Sequence, residues 1–292
     1  MAAKKSPRAA TPAPPPPAST PTRLPKAKNL NDVIANFDTV IAWSIKEPSG
    51  IGYFAVMYKR ATIAIDAAIK AKDFEHPAVM AEFAMIFAQR YFDALNAYLE
   101  PRDSEKPTQV WRCHFVGLEY PGPIIFQHLL TAVDAHINLD LGIAASLVGR
   151  GNMDGLRSDF DQVNRVLASQ VQSVLVALGD LSPWIQRIRA VIPDETEILA
   201  INKLLVVFRD LAWYFALTLA DADGDEERVQ ALIDERDGWA AWLGTEYLAP
   251  PGAMGWLVRL IAREECRDVR AVIARLNQGA DHPAPTNRKF LA

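Results

Sequence analysis

The amino-acid sequence predicts an all-α protein, and three observations support this fold class. Apolar side chains recur at helical spacing along almost the whole chain. Alternation of β-branched and polar residues, the pattern typical of strands, is nearly absent. Of the 292 residues, 50% are apolar, which provides ample core for a domain of this length. We therefore predict one multi-helix orthogonal or bundle domain of about nine helices around a buried polar central helix.

Turn chemistry separates the predicted helices in chain order. The first helix ends at EPSG, the third ends at EPRDSEKPT, and the fourth lies between YPGP and GRGNMDG. The last helix begins at APPG. Pro and Gly mark these boundaries because neither residue is favourable inside a helix. The nine predicted helices cover residues 30–46, 51–71, 77–99, 124–149, 154–179, 183–191, 194–221, 225–246 and 252–277.

The predicted domain covers residues 29–279 without an internal boundary. No interruption in the helical pattern is long enough to separate two domains, and no internal repeat indicates a solenoid. We predict that residues 1–28, rich in Pro and Ala, form a disordered tail, and that residues 280–292 form a flexible C-terminal tail. The basic N-terminus is not followed by an apolar run, so it does not match a secretory signal.

Charge and cysteine content narrow the classes of partner. With 31 basic and 35 acidic residues, the net charge of −4 lacks the positive excess of nucleic-acid-binding proteins. Two apolar runs, 123–148 and 201–220, contain charged residues that would be costly inside a membrane. The two cysteines have no CxxC spacing, which favours a reducing cytoplasm. We expect a small-molecule ligand and no nucleic-acid or membrane partner, and the oligomeric state is left open.

The segment FQHLLTAVDAHINLDLG at 126–142 contains polar residues within an apolar helix. On a helical projection, polar side chains fall on two stripes, and neither stripe forms a clean water-facing side. Such a helix is buried, so its polar groups need partners elsewhere in the chain. The polar residues concerned are Gln127, His128, Thr131, Asp134, His136, Asn138 and Asp140.

His136 and Asp140 lie one helical turn apart and allow three interpretations. They could ligate one metal ion, or Asp140 could orient His136 as a base. Alternatively, both could form hydrogen bonds across the bundle and only fix the helix register.

Two arginines also interrupt apolar stripes. Arg90 lies in FAMIFAQRYFDALNAY and Arg209 in NKLLVVFRDLAWYFA. A guanidinium keeps its charge when buried and requires acceptors, so Asp134, Asp140 or a bound anion are the expected partners. The alternative is a pair of purely structural ion pairs.

These residues predict one site in which Arg90, His128, His136, Asp140 and Arg209 converge around a cavity. The predicted catalytic residues are His128, His136 and Asp140. The predicted substrate-binding residues are Arg90, Arg209, Trp213 and Asn164. The predicted metal ligands are His128, His136, Asp140, Asp134 and Asn138, which would hold a divalent metal ion.

The predicted function is that of an enzyme acting on a small, partly apolar, anionic molecule. With a metal ion, hydrolase or lyase chemistry is expected. One alternative is a non-catalytic module that binds a small ligand or another protein. Another, by analogy with helical terpene cyclases, is magnesium-dependent chemistry on a prenyl diphosphate, although the chain lacks a DDxxD motif.

Five segments together resemble a known family. QHLLTAVDAHINLDLGIA, GYFAVMYKRAT, FAQRYFDAL, DFDQVNRVL and FRDLAW are similar to the bacterial and fungal proteins grouped as domain of unknown function 5995. The resemblance covers residues 35–220, and the central helix is its most specific part. It implies a soluble helical domain and supplies no activity or catalytic residues.

Overall fold

The protein is helical throughout the part of the chain that the structure describes. A computed structural model describes residues 23–102 and 105–286. Within these two ranges there is no β-strand, only an isolated bridge between Arg102 and Glu105. The all-α fold class predicted from the sequence is therefore confirmed.

Twelve α-helices and one π-helical segment follow one another in the described ranges. The π segment, Ala135–Asp140, joins α5 to α6 without a break, so the three form one continuous rod. The α-helices are α1 (Leu30–Lys46), α2 (Ile51–Lys70), α3 (Pro77–Leu99), α4 (Gln109–Gly117), α5 (Ile125–Asp134), α6 (Leu141–Val148), α7 (Met153–Leu181), α8 (Pro183–Arg189), α9 (Asp194–Asp221), α10 (Glu226–Leu248), α11 (Gly252–Ile261) and α12 (Val269–Asn277).

The number of helices differs from the nine predicted at two places. Helix α4 was not predicted; its nine residues lie between the turn signals EPRDSEKPT and YPGP. The predicted helix 252–277 is divided into α11 and α12. The division occurs because the Asp268 carboxylate accepts hydrogen bonds from the backbone N–H groups of Arg270 and Ala271, which starts a new helix there.

Parts of both predicted tails are described and contact the domain. The Leu24 side chain is buried, and its backbone N–H and C=O both form hydrogen bonds with the Asn96 side chain on α3. At the other end, the carbonyl of Ala284 accepts a hydrogen bond from Gln170 on α7. The rest of the predicted tails, residues 1–22 and 287–292, lies outside the described residues.

Two hydrophobic clusters make up the core. One contains aromatic side chains from α1 to α4, among them Phe37, Phe54 and Trp111. The other joins α3, α6, α7 and α9 through residues such as Phe160 and Trp213. The rod formed by α5, the π segment and α6 contributes to both clusters, so its side chains are enclosed on several sides.

The apolar runs at 123–148 and 201–220 fall in this rod and in α9. Both segments bury part of their apolar surface in the two clusters. Among the described helices, none combines the length and the apolar character needed to cross a bilayer.

Close approach of α6 to α9 depends on Gly142. An added Cβ at this position would lie 2.5 Å from Cδ1 of Phe215 and 2.9 Å from the carbonyl oxygen of Ala212. Because the second of these atoms belongs to the backbone, a side-chain rotation alone cannot relieve the contact. The two helices therefore pack at a distance that only glycine permits.

We expect Gly142→Ala to lower the free energy of unfolding by about 1–3 kcal/mol, the usual cost of overpacking. The matched control is Gly238→Ala on α10, where the nearest atom to an added Cβ is 4.0 Å away. That variant should gain up to about 1 kcal/mol from helix propensity. Urea unfolding of both variants tests the contrast, and a Gly142→Ala protein as stable as the parent would contradict it.

Candidate functional site

The π segment holds three buried polar side chains in one turn. His136, Asn138 and Asp140 are 4%, 1% and 1% exposed. A π-helix bonds each N–H to the carbonyl five residues earlier, and such turns within α-helices are rare and frequently occur at functional sites. The local geometry and the buried polar groups therefore point to the same six residues.

The Asp140 carboxylate is held on both oxygens. Nε of Arg90 on α3 donates to Oδ1 at 2.6 Å, and Nε1 of Trp111 on α4 donates to Oδ2 at 2.7 Å. Burial alone would raise the pKa of Asp140, but the charge of Arg90 and the hydrogen bonds to the carboxylate hold it below its usual value. Asp140 is therefore an anion at neutral pH.

The His136 imidazole lies beside this carboxylate and among aromatic rings. Its Nδ1 is 3.6 Å from Oδ2 of Asp140, which is too long for a hydrogen bond. Its ring stacks on Phe87 with centroids 3.6 Å apart and planes 8° apart, and the edge contact with Tyr58 has a centroid distance of 4.3 Å. Neither ring nitrogen has a hydrogen-bond partner in the described chain.

Burial lowers the pKa of His136, and the neighbouring carboxylate of Asp140 opposes this shift without cancelling it. The imidazole is therefore neutral at pH 7, with one nitrogen carrying a proton and the other free to accept one. A neutral, buried histidine beside an anionic aspartate can act as a proton acceptor.

The side chains between this cluster and solvent are partly exposed. Tyr58, Phe87 and Arg90 are half-buried, whereas His136 and Asp140 are buried. The Arg90 side chain is 27% exposed, and neither of its Nη groups forms a hydrogen bond within the described ranges. The buried imidazole therefore has two half-buried aromatic rings and a partly exposed guanidinium near it.

His128 lies apart from this cluster, although the sequence placed it with His136. Its nearest ring neighbour is Tyr53, with centroids 6.3 Å apart. Burial, together with the nearby charge of Arg267, lowers the pKa of His128 to about 4. His128 acts in turn on His114: burial, together with the charge of His128, lowers the pKa of His114 to about 3, and Nδ1 of His114 lies 2.9 Å from Oγ1 of Thr131.

Asp134 and Asn138 form a separate polar group that faces α10. Nδ2 of Asn138 donates to Oδ1 of Asp134 at 2.6 Å, and Nε of Arg236 donates to the Asn138 carbonyl at 2.7 Å. Burial raises the pKa of Asp134 to about 7 despite the opposing effects of Asn138 and Arg236. Oδ2 of Asp134, Oδ1 of Asn138 and Nη2 of Arg236 have no hydrogen-bond partner in the described chain.

The structure does not bring the predicted metal ligands together. His136 and Asp140 contact each other, whereas Asp134 and Asn138 contact Arg236, and His128 has other neighbours. Over residues 23–102 and 105–286, no three His, Cys, Asp or Glu side chains are arranged to hold one metal ion. Five residues of one helix point in different directions, so they reach different partners.

The remaining predicted residues lie between α7 and α9. Nη2 of Arg209 donates to the Phe160 carbonyl at 2.7 Å, and its guanidinium lies 4.4 Å from the centre of the Phe160 ring. Trp213 packs on the same ring at 4.9 Å. Asn164 lines an open cavity of about 380 Å³, together with Arg157 and other polar residues. The structure thus joins Arg90, His136 and Asp140 and gives Arg209 a different set of contacts.

Sequence reasoning missed two residues at these groups, Trp111 and Arg236. Trp111 lies on the unpredicted helix α4 and is 1% exposed. A buried indole N–H usually has a partner, so this tryptophan in VWRCHF was the available signal. Arg236 lies on α10, which carries many charged residues. The sequence pattern therefore does not distinguish this inward-facing arginine from the exposed charges around it.

Comparisons with known proteins place the chain in a family without assigning an activity. Residues 30–250 match the model of a family of unknown function, DUF5995. No curated protein and no solved structure matches the chain. The match includes every residue of the Arg90, Asp140 and His136 cluster and extends beyond the 35–220 range of the predicted resemblance.

Proposed function

We propose that this chain, a member of the family of unknown function DUF5995, is an enzyme in which His136 acts as a general base. One observation carries the proposal: the buried imidazole is neutral, lies 3.6 Å from an anionic carboxylate and has both nitrogens unpaired in the described chain. A purely structural histidine normally satisfies its ring nitrogens, because an unpaired buried polar atom is costly.

Asp140 positions the imidazole. Its negative charge beside Nδ1 favours the tautomer that carries the proton there, which leaves Nε2 as the acceptor. The carboxylate itself is fixed by Arg90 and Trp111, so it cannot rotate away without losing a hydrogen bond. In this arrangement Asp140 is a positioning residue, and the proton moves from the substrate to Nε2 of His136.

Arg90 and the aromatic rings fit a small, partly apolar, anionic substrate. The free Nη groups of Arg90 suit a carboxylate or a phosphate, since a guanidinium binds such groups through two parallel hydrogen bonds. Phe87 and Tyr58 provide apolar surface beside the His136 imidazole. Because His136 is only 4% exposed, a neighbouring side chain must move before a substrate reaches Nε2.

The test uses histidine labelled with ¹⁵N and benzoate as the anionic, apolar probe. We expect His136 to give the neutral Nδ1–H tautomer at pH 7 and its signals to shift when benzoate is added. Arg90→Gln should abolish the shift. His76, which is half exposed on its side chain, is the internal control and should not respond. A protonated His136 at pH 7, or signals unchanged at saturating benzoate, contradicts the proposal.

Once a turnover assay is found, His136→Gln should reduce kcat by roughly 10²–10⁴-fold, the usual contribution of a general base. The substrate search begins with esters and hydroxy acids that combine a carboxylate with an apolar group. Retention of full activity in His136→Gln would remove the histidine from the mechanism.

A second candidate function is non-catalytic binding of a small ligand. The open cavity between α7 and α9 favours it, because charges of both signs from Arg157, Asp161, Arg165 and Asp210 line it. The two candidates predict different responses: a ligand held in that cavity would shift the side-chain amide signal of Asn164 and leave His136 unchanged.

A further inference from the structure

The open cavity between α7 and α9 is separate from the cluster around His136 and shares no lining residue with it. Its volume is about 380 Å³, which lies within the usual range of about 300–1,000 Å³ for small-ligand pockets. Of its eight lining residues, six belong to α7 and two to α9, and seven are polar. A small polar ligand therefore suits this cavity better than an apolar one.

The charge of Arg157 in this cavity is already balanced. Its Nε donates to Oδ2 of Asp161 at 2.8 Å, and its Nη2 donates to Oδ1 of Asp210 at 2.7 Å. The guanidinium also lies 5.2 Å from the centre of the Trp213 ring. Each carboxylate uses only one oxygen on this arginine, and the other oxygen has no hydrogen-bond partner in the described chain. Two carboxylate oxygens are therefore free to accept hydrogen bonds from a cation.

Arg165 is a cation of the same cavity without a counter-ion. It is exposed, its Nη1 donates to Oε1 of Gln162 at 3.1 Å, and it forms no ion pair within the described ranges. It follows Asp161 by four residues, so the two Cβ atoms lie about 5–6 Å apart on one face of α7. Asp161 pairs instead with Arg157, on its other side. A free positive group thus lies next to a free carboxylate oxygen, so a matching ligand needs opposite charges close together.

We infer that this cavity binds a small zwitterion of the α-amino acid class, with its carboxylate on Arg165 and its ammonium on the free oxygens of Asp161 and Asp210. A single carbon atom separates the two charged groups of an α-amino acid, which matches the short spacing on α7. A guanidinium binds a carboxylate through two parallel hydrogen bonds. Val206 is the apolar lining residue and suits a short apolar side chain. The inference rests on the second candidate function, because both require a ligand in this cavity.

Titration of the full chain with L-alanine, propionate and ethylammonium tests the inference. Propionate lacks the ammonium of alanine, and ethylammonium lacks its carboxylate. The readout is the side-chain amide signal of Asn164, which lines the cavity and is identified with an Asn164→Ala variant. We expect alanine to shift this signal. The other two compounds should bind at least about tenfold more weakly, because each loses one charge-assisted contact.

The Arg165→Gln variant separates the two charges of the ligand. It should weaken alanine binding by at least about tenfold, because the carboxylate loses its partner. Ethylammonium binding should not weaken, because the aspartates that hold the ammonium are intact. The matched control is Lys203→Gln, which removes an exposed cation of α9 that does not line the cavity and should leave alanine binding unchanged. Circular dichroism checks that both variants are folded.

The possible failures of these experiments have different meanings. If propionate or ethylammonium binds as tightly as alanine, or if Arg165→Gln keeps full affinity for alanine, the zwitterion is wrong and the second candidate function stands. If none of the three compounds shifts the Asn164 signal, both the zwitterion and the second candidate function are overturned. The response of His136 to benzoate is a separate measurement, so neither result changes the test of the general base.

Discussion

Replacing Asp140 by Ala should lower the free energy of unfolding by roughly 3–5 kcal/mol, the usual result of removing one partner of a buried ion pair. The variant leaves the indole N–H of Trp111 buried without an acceptor. Arg90 loses the carboxylate that accepts its Nε–H, although its partly exposed end can still reach water. Urea unfolding at pH 7 measures the loss.

The matched control is Asp221→Ala. Asp221 forms an ion pair with Arg228 at 3.2 Å, but its side chain is 76% exposed. Removing an exposed pair should change stability by less than about 1 kcal/mol. If Asp140→Ala costs no more than Asp221→Ala, the carboxylate is not a central element of the fold.

The stabilising effect of Asp140 has a defined pH dependence. Because the folded-state pKa of Asp140 is below its usual value, the unfolded chain binds the proton more readily than the folded protein does. Its contribution is therefore present above about pH 4 and is lost as the pH falls through the folded-state pKa. The Asp140→Ala protein should not show this part of the acid-induced fall in the free energy of unfolding. Acid unfolding of the variant and the parent measures the difference.

Asp134→Asn, unlike Asp140→Ala, should raise the free energy of unfolding, and it should do so at alkaline pH. Burial raises the pKa of Asp134 from 3.8 to about 7, so the folded protein holds a proton that the unfolded chain has already released. The contribution of Asp134 to the free energy of unfolding therefore falls as the pH rises from about 4 to 7 and stays constant above that. A neutral amide avoids this cost, and the gain at pH 8 should be on the order of 4 kcal/mol.

Thermal or urea unfolding at pH 4.5 and pH 8 measures this effect. The difference between Asp134→Asn and the parent should be large at pH 8 and small at pH 4.5. Asp93→Asn, at an exposed position on α3, is the control and should change stability little at either pH. A variant that is less stable than the parent at pH 8 would show that the Asp134 anion is favoured in the folded protein.

Long helices with turn residues at both ends were predictable from the sequence. The bounds of α1, α3 and α9 coincide with the predicted ranges 30–46, 77–99 and 194–221. Many turns establish the apolar period, and the Pro and Gly at the ends interrupt it clearly. The break between α11 and α12 was not predictable in this way, because REECRD contains neither Pro nor Gly.

Part of the site was also predictable. Arg90 and Asp140 each interrupt an apolar stripe, and Asp140 was one of the acceptors expected for a buried arginine. Arg209 also interrupts an apolar stripe, but its guanidinium donates to a backbone carbonyl and lies over an aromatic ring instead of contacting a carboxylate. A guanidinium accepts several kinds of partner, so its burial identifies a polar environment without identifying the partner.

The π segment could not be anticipated by a method that assigns 100° to each residue. From Ala135 onwards the side chains leave the directions that an α-helical projection gives them. This is one physical reason why residues assigned to a common stripe, such as His128 and His136, have different neighbours.

The wide turn at Ala135–Asp140 also sets the phase of the rod that contains it. Before the turn, α5 packs against α4 and α10, and after it α6 packs against α9. The π turn adds one residue to the rod without breaking it, because each N–H in it bonds to the carbonyl five residues earlier instead of four. Deleting one residue there should therefore let the turn close as ordinary α-helix and keep Gly142 against Phe215, whereas inserting one would rotate α6 by about 100° and uncouple the two halves of the core.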